Sequence, residues 1–192
     1  MKWDKYLTNT ENGPARILLK ESIKYLEIYS KPKALDLGAG SLNDTKFLLK
    51  KGFDVVAVDS NKKVKELAKH LPKENFEMNV SSFDKYDFKK NSFNIVNAQY
   101  ALPFNSPKTS NKVISDIKNS IKSNGIFVGQ FFGIEDDWSD IKSMTFHALE
   151  DVESFFEKNW VVHKLEEEKQ FKKTAAGKDK YWHVFHVIAQ KI

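Results

Sequence analysis

The stretch from Lys33 to Asp59 constrains the fold more than any other part of the chain. It reads K-A-L-D-L-G-A-G-S-L-N-D, passes through a segment of helical spacing, and closes on D-V-V-A-V-D. Ala34-Leu35-Asp36-Leu37 is a short apolar run that ends in the Gly38-Ala39-Gly40 turn. Apolar residues then recur at Leu42, Phe47, Leu48 and Leu49, which predicts a helix stopped by Gly52. Val55-Val56-Ala57-Val58 reads as a second buried strand ending in Asp59. Strand, glycine turn, helix, strand and acid make the nucleotide-binding half of a parallel α/β sheet.

Each part has a physical task. Gly38 and Gly40 allow a sharp turn and the close approach of a ligand. The helix that follows presents free N–H groups to an anionic group. Asp59 can accept both hydrogen bonds of a ribose diol, and its charge repels a ribose that carries a phosphate. Two details favour S-adenosylmethionine over NAD. The sixth position of G-x-G-x-x-G calls for a small residue, and here it is Asn43. Asp36, two residues before the first glycine, would repel a pyrophosphate but suits a cationic amino-acid end.

Composition narrows the rest. A length of 192 residues suits one α/β domain. With no cysteine, neither a disulfide framework nor a thiolate metal site can form. The leading M-K-W-D-K-Y lacks the apolar stretch of a signal peptide, and no run approaches membrane-spanning length. The expectation is a soluble, cytoplasmic protein without a membrane partner. The net charge of +5 does not argue for nucleic acid, because lysines alternate with acids and Arg16 is the only arginine.

Before the first strand, Pro14 precedes a helix predicted from Ala15 to Tyr29, with Ile17, Leu18, Ser22 and Tyr25 or Leu26 inward. Residues 1–32 are expected to close over the cofactor mouth. Trp3, Tyr6 and Arg16 are contact candidates there, Arg16 for the fork geometry that grips a carboxylate. Ser60-Asn61 caps a helix to His70, and 75–80 alternates as a third strand. Ser81, Ser82 and Phe83 follow where an adenine would lie. Phe93 to Asn97 is the fourth strand, and Asn97, Gln99 and Tyr100 stand just past its carboxyl end, where open α/β sheets bind ligands. A helix marked by Val113, Ile114, Ile117 and Ile121 should end at Asn124-Gly125. Residues 126–132 form a fifth strand whose buried Gln130 requires a partner. Residues 133–148 read as a lid or substrate wall. Leu149 to Lys158 is a helix, 160–168 and 181–191 are the last strands, and the Lys-rich connector between them reads as mobile.

The whole chain, 1–192, resembles the small class I S-adenosylmethionine-dependent methyltransferases. D-L-G-A-G and V-V-A-V-D carry the likeness. N-A-Q-Y-A-L-P-F, G-Q-F-F-G-I-E-D-D-W, M-T-F-H and Y-W-H-V-F are similar to a narrower bacterial group of tellurite-resistance-type and methyltransferase-domain proteins. The resemblance implies a three-layer, Rossmann-like α/β fold: a seven-stranded, mostly parallel sheet in the order 3-2-1-4-5-7-6, with strand seven antiparallel. It implies S-adenosylmethionine as cofactor, held by Asp36, Gly38, Gly40, Asp59, Ser60, Ser82, Phe83, Asn97 and Arg16. An antiparallel last strand would start at the active-site face, with Tyr181, Trp182 and His183 at its mouth. His183, Tyr100 and His147 are thus the candidates for catalysis, and no metal is required. In two places the chain departs from the pattern. Leu42 stands where many relatives have a further glycine, and the acid many use near adenine is absent from Ser81-Ser82.

The expected activity is methyl transfer to a small molecule by a monomer or homodimer. A soft anion such as a thiolate, or a tellurium or selenium oxyanion, would need no base. A non-catalytic S-adenosylmethionine-binding regulatory protein is the alternative, and a nicotinamide-dependent oxidoreductase is disfavoured by Asn43 and Asp36.

Overall fold

The computed structural model describes residues 3–27 and 31–192. Seven strands run in the spatial order β3-β2-β1-β4-β5-β7-β6. They are β1 (Lys33–Leu37), β2 (Asp54–Asp59), β3 (Phe76–Val80), β4 (Phe93–Ala98), β5 (Ile121–Phe132), β6 (Trp160–Lys173) and β7 (Asp179–Lys191). The ladders from β3 through β5 are parallel, whereas β7 pairs antiparallel with both β5 and β6. This is the expected topology.

The central strands read as unbroken apolar runs because both of their faces are covered. On one face lie α1 (Trp3–Thr10), α2 (Ile17–Ser22), α3 (Asn43–Lys50) and α4 (Val64–Leu67). On the other, α5 (Pro107–Ser120) and α6 (Leu149–Phe155) pack on Leu35, Leu37, Val96, Phe127, Phe131 and Phe185. Phe53, Phe127, Phe131, Phe132 and Phe185 are all fully buried, and each contributes roughly 1.5–3 kcal/mol of apolar burial.

Local expectations shift where tertiary pairing competes with helix propensity. The helix predicted from Ala15 stops at Ser22 and tightens into a single 3₁₀ turn over Ile23–Tyr25; its expected last residue, Tyr29, lies outside the described residues. Pro14 stands before this helix, not in its first turn, and Ile17 is 81 % exposed while Leu19 takes the inward place. α1 was not expected. It crosses the glycine turn with Leu7 packed on Ala39, Leu42 and Val64.

α5 ends four residues before the Asn124-Gly125 signal. Ile121 leaves the helix because it pairs with Phe93 in the β4–β5 ladder, while Lys191 Nζ caps the carbonyls of Lys118 and Ile121. The expected mobile connector after β6 is instead a long hairpin. β6 runs to Lys173, β7 starts at Asp179, and Gly177 and Lys178 close the turn onto Thr174. β6 is the sheet edge, and its many Lys and Glu residues discourage edge-to-edge pairing.

Candidate active site

The turn after β1 is tied to the end of β2, since the N–H groups of Gly38 and Ala39 both donate to the Val58 carbonyl. Gly38 (φ 71°) and Gly40 (φ 49°) occupy the left-handed region. A Cβ on Gly38 would lie 2.5 Å from the Ala101 Cβ. Packing against the loop after β4 therefore demands glycine there before any ligand does. Leu42 also adopts a left-handed conformation, φ 61°, directly before α3. Its strain, roughly 1–3 kcal/mol, is offset by complete burial among Leu7, Ala39, Ala57 and Val64.

Asp59 lies half-buried at the carboxyl end of β2. Its Oδ2 accepts the Gly40 N–H at 2.9 Å and its Oδ1 the Asn61 N–H at 2.8 Å. Each oxygen keeps capacity for a further donor, and a ribose diol matches that set. Ser60 is exposed beside it. Ser82 and Phe83 follow β3; Ser81 Oγ donates to the Ser82 carbonyl, and Phe83 packs on the core with its ring tip toward the Gly38 turn.

Asp36 is buried behind this turn. It accepts from Thr45 Oγ1 at 2.5 Å and from Asn97 Nδ2 at 2.8 Å. The same amide donates to Asp44 Oδ2 at 3.2 Å, and Asp44 Oδ1 accepts the Arg16 backbone N–H at 2.8 Å. Burial, reinforced by the Asp44 charge, pushes Asp36 up to about 7, and burial also raises Asp44. Asn97 is fully buried, so its side chain reaches a ligand only through these carboxylates.

From Asn97 a relay of amides runs outward. Gln99 Nε2 donates to Asn97 Oδ1, Gln130 Nε2 donates to Gln99 Oε1, and the Tyr100 N–H donates to Gln130 Oε1, each at 2.9 Å. Gln130 thus finds its required partners in the neighbouring loop. Tyr100 is held at φ 52°, a strained backbone state for a tyrosine. Its ring meets Phe132, Trp182 and His186 edge-on, and the Arg16 guanidinium lies 5.0 Å above its centroid. Burial, with Glu168 nearby, raises the Tyr100 phenol above its ordinary value.

Aromatic residues continue outward from Tyr100. Trp3 packs edge-on against Phe104, and Tyr6 Oη accepts from Arg16 Nη2. Residues 133–148 are pinned to β7. Asp136 takes Lys180 Nζ at 2.5 Å together with the Trp138 and His183 N–H groups, and Asp137 exchanges bonds with Tyr181. The buried Lys180 ammonium lies 3.6 Å from the Trp182 ring centroid and 4.3 Å from that of Trp138. Burial lowers its pKa, and Asp136 opposes the shift.

The histidines divide by strand parity. His183 is 2 % exposed and lies tilted against Phe185, with ring centroids 4.9 Å apart, on the α5–α6 face. Its Nδ1 accepts the Glu135 N–H and its Nε2 meets Glu167 Oε1 at 2.8 Å, so both ring nitrogens are engaged. His147 is enclosed edge-on by Phe131 and Phe155, and burial lowers its pKa. The histidine beside Tyr100 is His186, whose Nδ1 is 3.4 Å from Gln130 Nε2 and whose Nε2 is 3.5 Å from Glu168 Oε2. Burial lowers its pKa too. Sequence reasoning missed His186, Asp44 and Lys180. The signal for Asp44 was a polar N-D-T run where α3 should have been apolar.

Residues 35–129 match a family model described as a methyltransferase domain. No curated protein sequence matches the chain. Among solved structures, a SAM-dependent methyltransferase from Methanosarcina mazei aligns with a TM-score of 0.69 at 17 % identity, over 93 % of this chain and 99 % of that one. TehB from Haemophilus influenzae aligns at 0.72 and 17 %, over 91 % of this chain and 61 % of its own. The 1,6-didemethyltoxoflavin-N1-methyltransferase of Burkholderia thailandensis, with S-adenosylhomocysteine bound, aligns at 0.62 and 15 %, over 89 % and 78 %. At these identities the likeness is one of fold.

Proposed function

We propose that this chain, whose residues 35–129 match a methyltransferase-domain model, is a class I S-adenosylmethionine-dependent methyltransferase that methylates a small molecule held between the glycine turn and the aromatic wall beyond β4 and β5. The observation that carries this reading is Tyr100. A tyrosine locked at φ 52° by Gln130, with its ring between the Arg16 guanidinium and the Phe132, Trp182 and His186 rings, is strain retained at the end of a central strand.

S-adenosylmethionine supplies an electrophilic sulfonium methyl when bound. Gly38, Gly40, Asp59, Ser60, Ser82 and Phe83 take its nucleoside in this reading, and Asp36, Asn97 and Arg16 serve its amino-acid end. The protein's own contribution is alignment and exclusion of water. Holding the nucleophile in line removes roughly 7–11 kcal/mol of the barrier. The N-terminal segment closes the cofactor side, and residues 133–148 wall the substrate side. Tyr100 is the residue proposed to touch substrate. His183, with both nitrogens engaged, positions the 133–148 wall against β7, and His147 supports the same wall from the core. The reading carries with it a cytoplasmic monomer or homodimer. No described helix is long and apolar enough to cross a membrane.

The test is transfer of an isotope-labelled methyl group to a panel of small nucleophiles, including thiols, amines, tellurite and selenite. Labelled product with some member, lost in Tyr100→Ala while cofactor binding survives, is expected. Full turnover by Tyr100→Ala on an identified substrate would overturn the role given to Tyr100.

A further inference from the structure

Three consecutive glutamates stand on β6, and lysines neutralise two of them. Glu166 meets Lys164 Nζ at 3.3 Å, and Glu167 meets Lys169 Nζ at 3.2 Å and His183 Nε2 at 2.8 Å. Among the described residues no lysine or arginine pairs with Glu168, which meets only His186 Nε2, at 3.5 Å. Strand register gives that carboxylate its surroundings. Gln170, Glu168 and Glu166 lie opposite Trp182, Val184 and His186, so Glu168 stands diagonally between Trp182 and His186 on one face of the sheet. The rings of both meet Tyr100 edge-on. The Glu168 side chain is 29 % exposed, open enough to receive a ligand.

The amide relay fixes the form of His186. The Tyr100 N–H can only donate, so Gln130 presents Oε1 to it and Nε2 to Gln99 and His186. His186 Nδ1 therefore accepts, and the proton of the neutral ring sits on Nε2, facing Glu168. That Nε2 is buried without a completed hydrogen bond. A neutral histidine leaves the Glu168 charge uncancelled.

A carboxylate framed by aromatic rings attracts a basic nitrogen and repels an anion. We infer that the substrate is a small amine, that the Glu168 carboxylate accepts its N–H beside the Tyr100 and Trp182 rings, and that His186 is the residue that positions Glu168. The inference rests on the methyl-transfer reading of the site and names its substrate class. The other charges on this face are engaged: Lys164 is shared by Glu21 and Glu166, and Arg16 serves the amino-acid end of the cofactor in that reading. In the transfer the amine lone pair forms the new N–CH3 bond while the S–CH3 bond pair returns to sulfur, so positive charge arrives on nitrogen beside Glu168. The methylated ammonium then gives its proton to solvent. A thiolate or a tellurium or selenium oxyanion would be repelled by the same carboxylate.

The test is transfer of a labelled methyl group to amines matched with thiols and alcohols of the same carbon skeleton, with tellurite and selenite alongside. Label on an amine is expected. Glu168→Gln keeps an acceptor and removes the charge. It should lower kcat/KM for that amine about 10- to 100-fold, the loss expected for one charged hydrogen bond, with affinity for S-adenosylhomocysteine unchanged by calorimetry. Glu166→Gln, the same change beside Lys164, should stay within about 2-fold of wild type. Nitrogen NMR of the wild-type protein should show His186 protonated on Nε2 and bare on Nδ1. Adding the amine should shift that signal in wild type and not in Glu168→Gln. The wild-type panel and the wild-type spectrum need no variant, so they stand even if Glu168→Gln fails to fold. Label on thiols, alcohols or oxyanions and on no amine would overturn the amine assignment alone. Equal losses in the two glutamate variants would overturn the role of Glu168, and a proton on Nδ1 that of His186. Label on no member of the panel, with S-adenosylhomocysteine still bound, would overturn the methyl-transfer reading and the inference with it.

Discussion

The half of the sheet built on β1, β2 and α3 and the half built on β5, β6 and β7 hold their polar groups by opposite means. In the first, backbone groups of the turns do the holding. Asp59 is clasped by the N–H groups of Gly40 and Asn61, and the glycine turn is bonded to Val58. In the second, side chains on separate elements hold one another, Asp136 to Lys180, His183 to Glu167, Gln130 to His186. A site in the first half is written in consecutive residues. One in the second depends on strand register and on which face each side chain takes.

The variants that break this comparison begin with the far half. Asp136→Ala leaves Lys180 buried without a counter-charge and should cost about 3–5 kcal/mol of stability, read as a fall in denaturation midpoint with cofactor affinity retained in the folded fraction. A midpoint within error of wild type would mean that the 133–148 wall is not anchored by this pair.

On the near half, Asp59→Ala should weaken S-adenosylhomocysteine about 100-fold by removing the ribose acceptor. Unchanged affinity by calorimetry would put the ribose elsewhere. Next comes the parity of the two histidines. His183→Phe leaves the part-buried Glu135 N–H without its acceptor and should destabilise by about 1–3 kcal/mol. His186→Phe should cost less than about 1 kcal/mol and, on an identified substrate, show its effect in turnover. Equal destabilisation by both would erase the distinction between the faces.

The smallest effect expected is one of pH. Asp36 holds a proton in the folded protein up to about 7, against a model-compound value of 3.8, because of burial and the Asp44 charge. Between those values the folded state binds more protons than the unfolded state, so the unliganded protein loses stability as pH rises through that window. Asp36→Asn should flatten this slope in thermal melts. An identical slope in the variant would assign it to another group.

What could be read from the residues follows the same division. The Gly38–Gly40 turn and Asp59 at the end of β2 were legible because strand, turn and helix follow one another within the Lys33–Asp59 stretch, whereas the seven-strand order came through resemblance. The orientation of β7 was legible only through resemblance, and its side-chain parity was not. His183 and His186 are three residues apart and therefore face opposite sides of the sheet. Only the pairing of Gln130 with His186 puts His186 beside Tyr100. Likewise, Ile121 fits the α5 periodicity, and it is the β4–β5 ladder that takes it from the helix. Asp44 was hidden for a related reason, since a buried acid in the first turn of a helix resembles an ordinary solvent-facing N-terminal residue until α2 is packed over it.

The most direct test of the cofactor site is calorimetric titration of the wild-type protein with S-adenosylmethionine and S-adenosylhomocysteine, with NAD as control. Binding of both sulfur nucleosides in about the micromolar range, without heat from NAD, is the predicted result. Absence of binding by either would contradict the account, and would leave the glycine turn and Asp59 as parts of the scaffold.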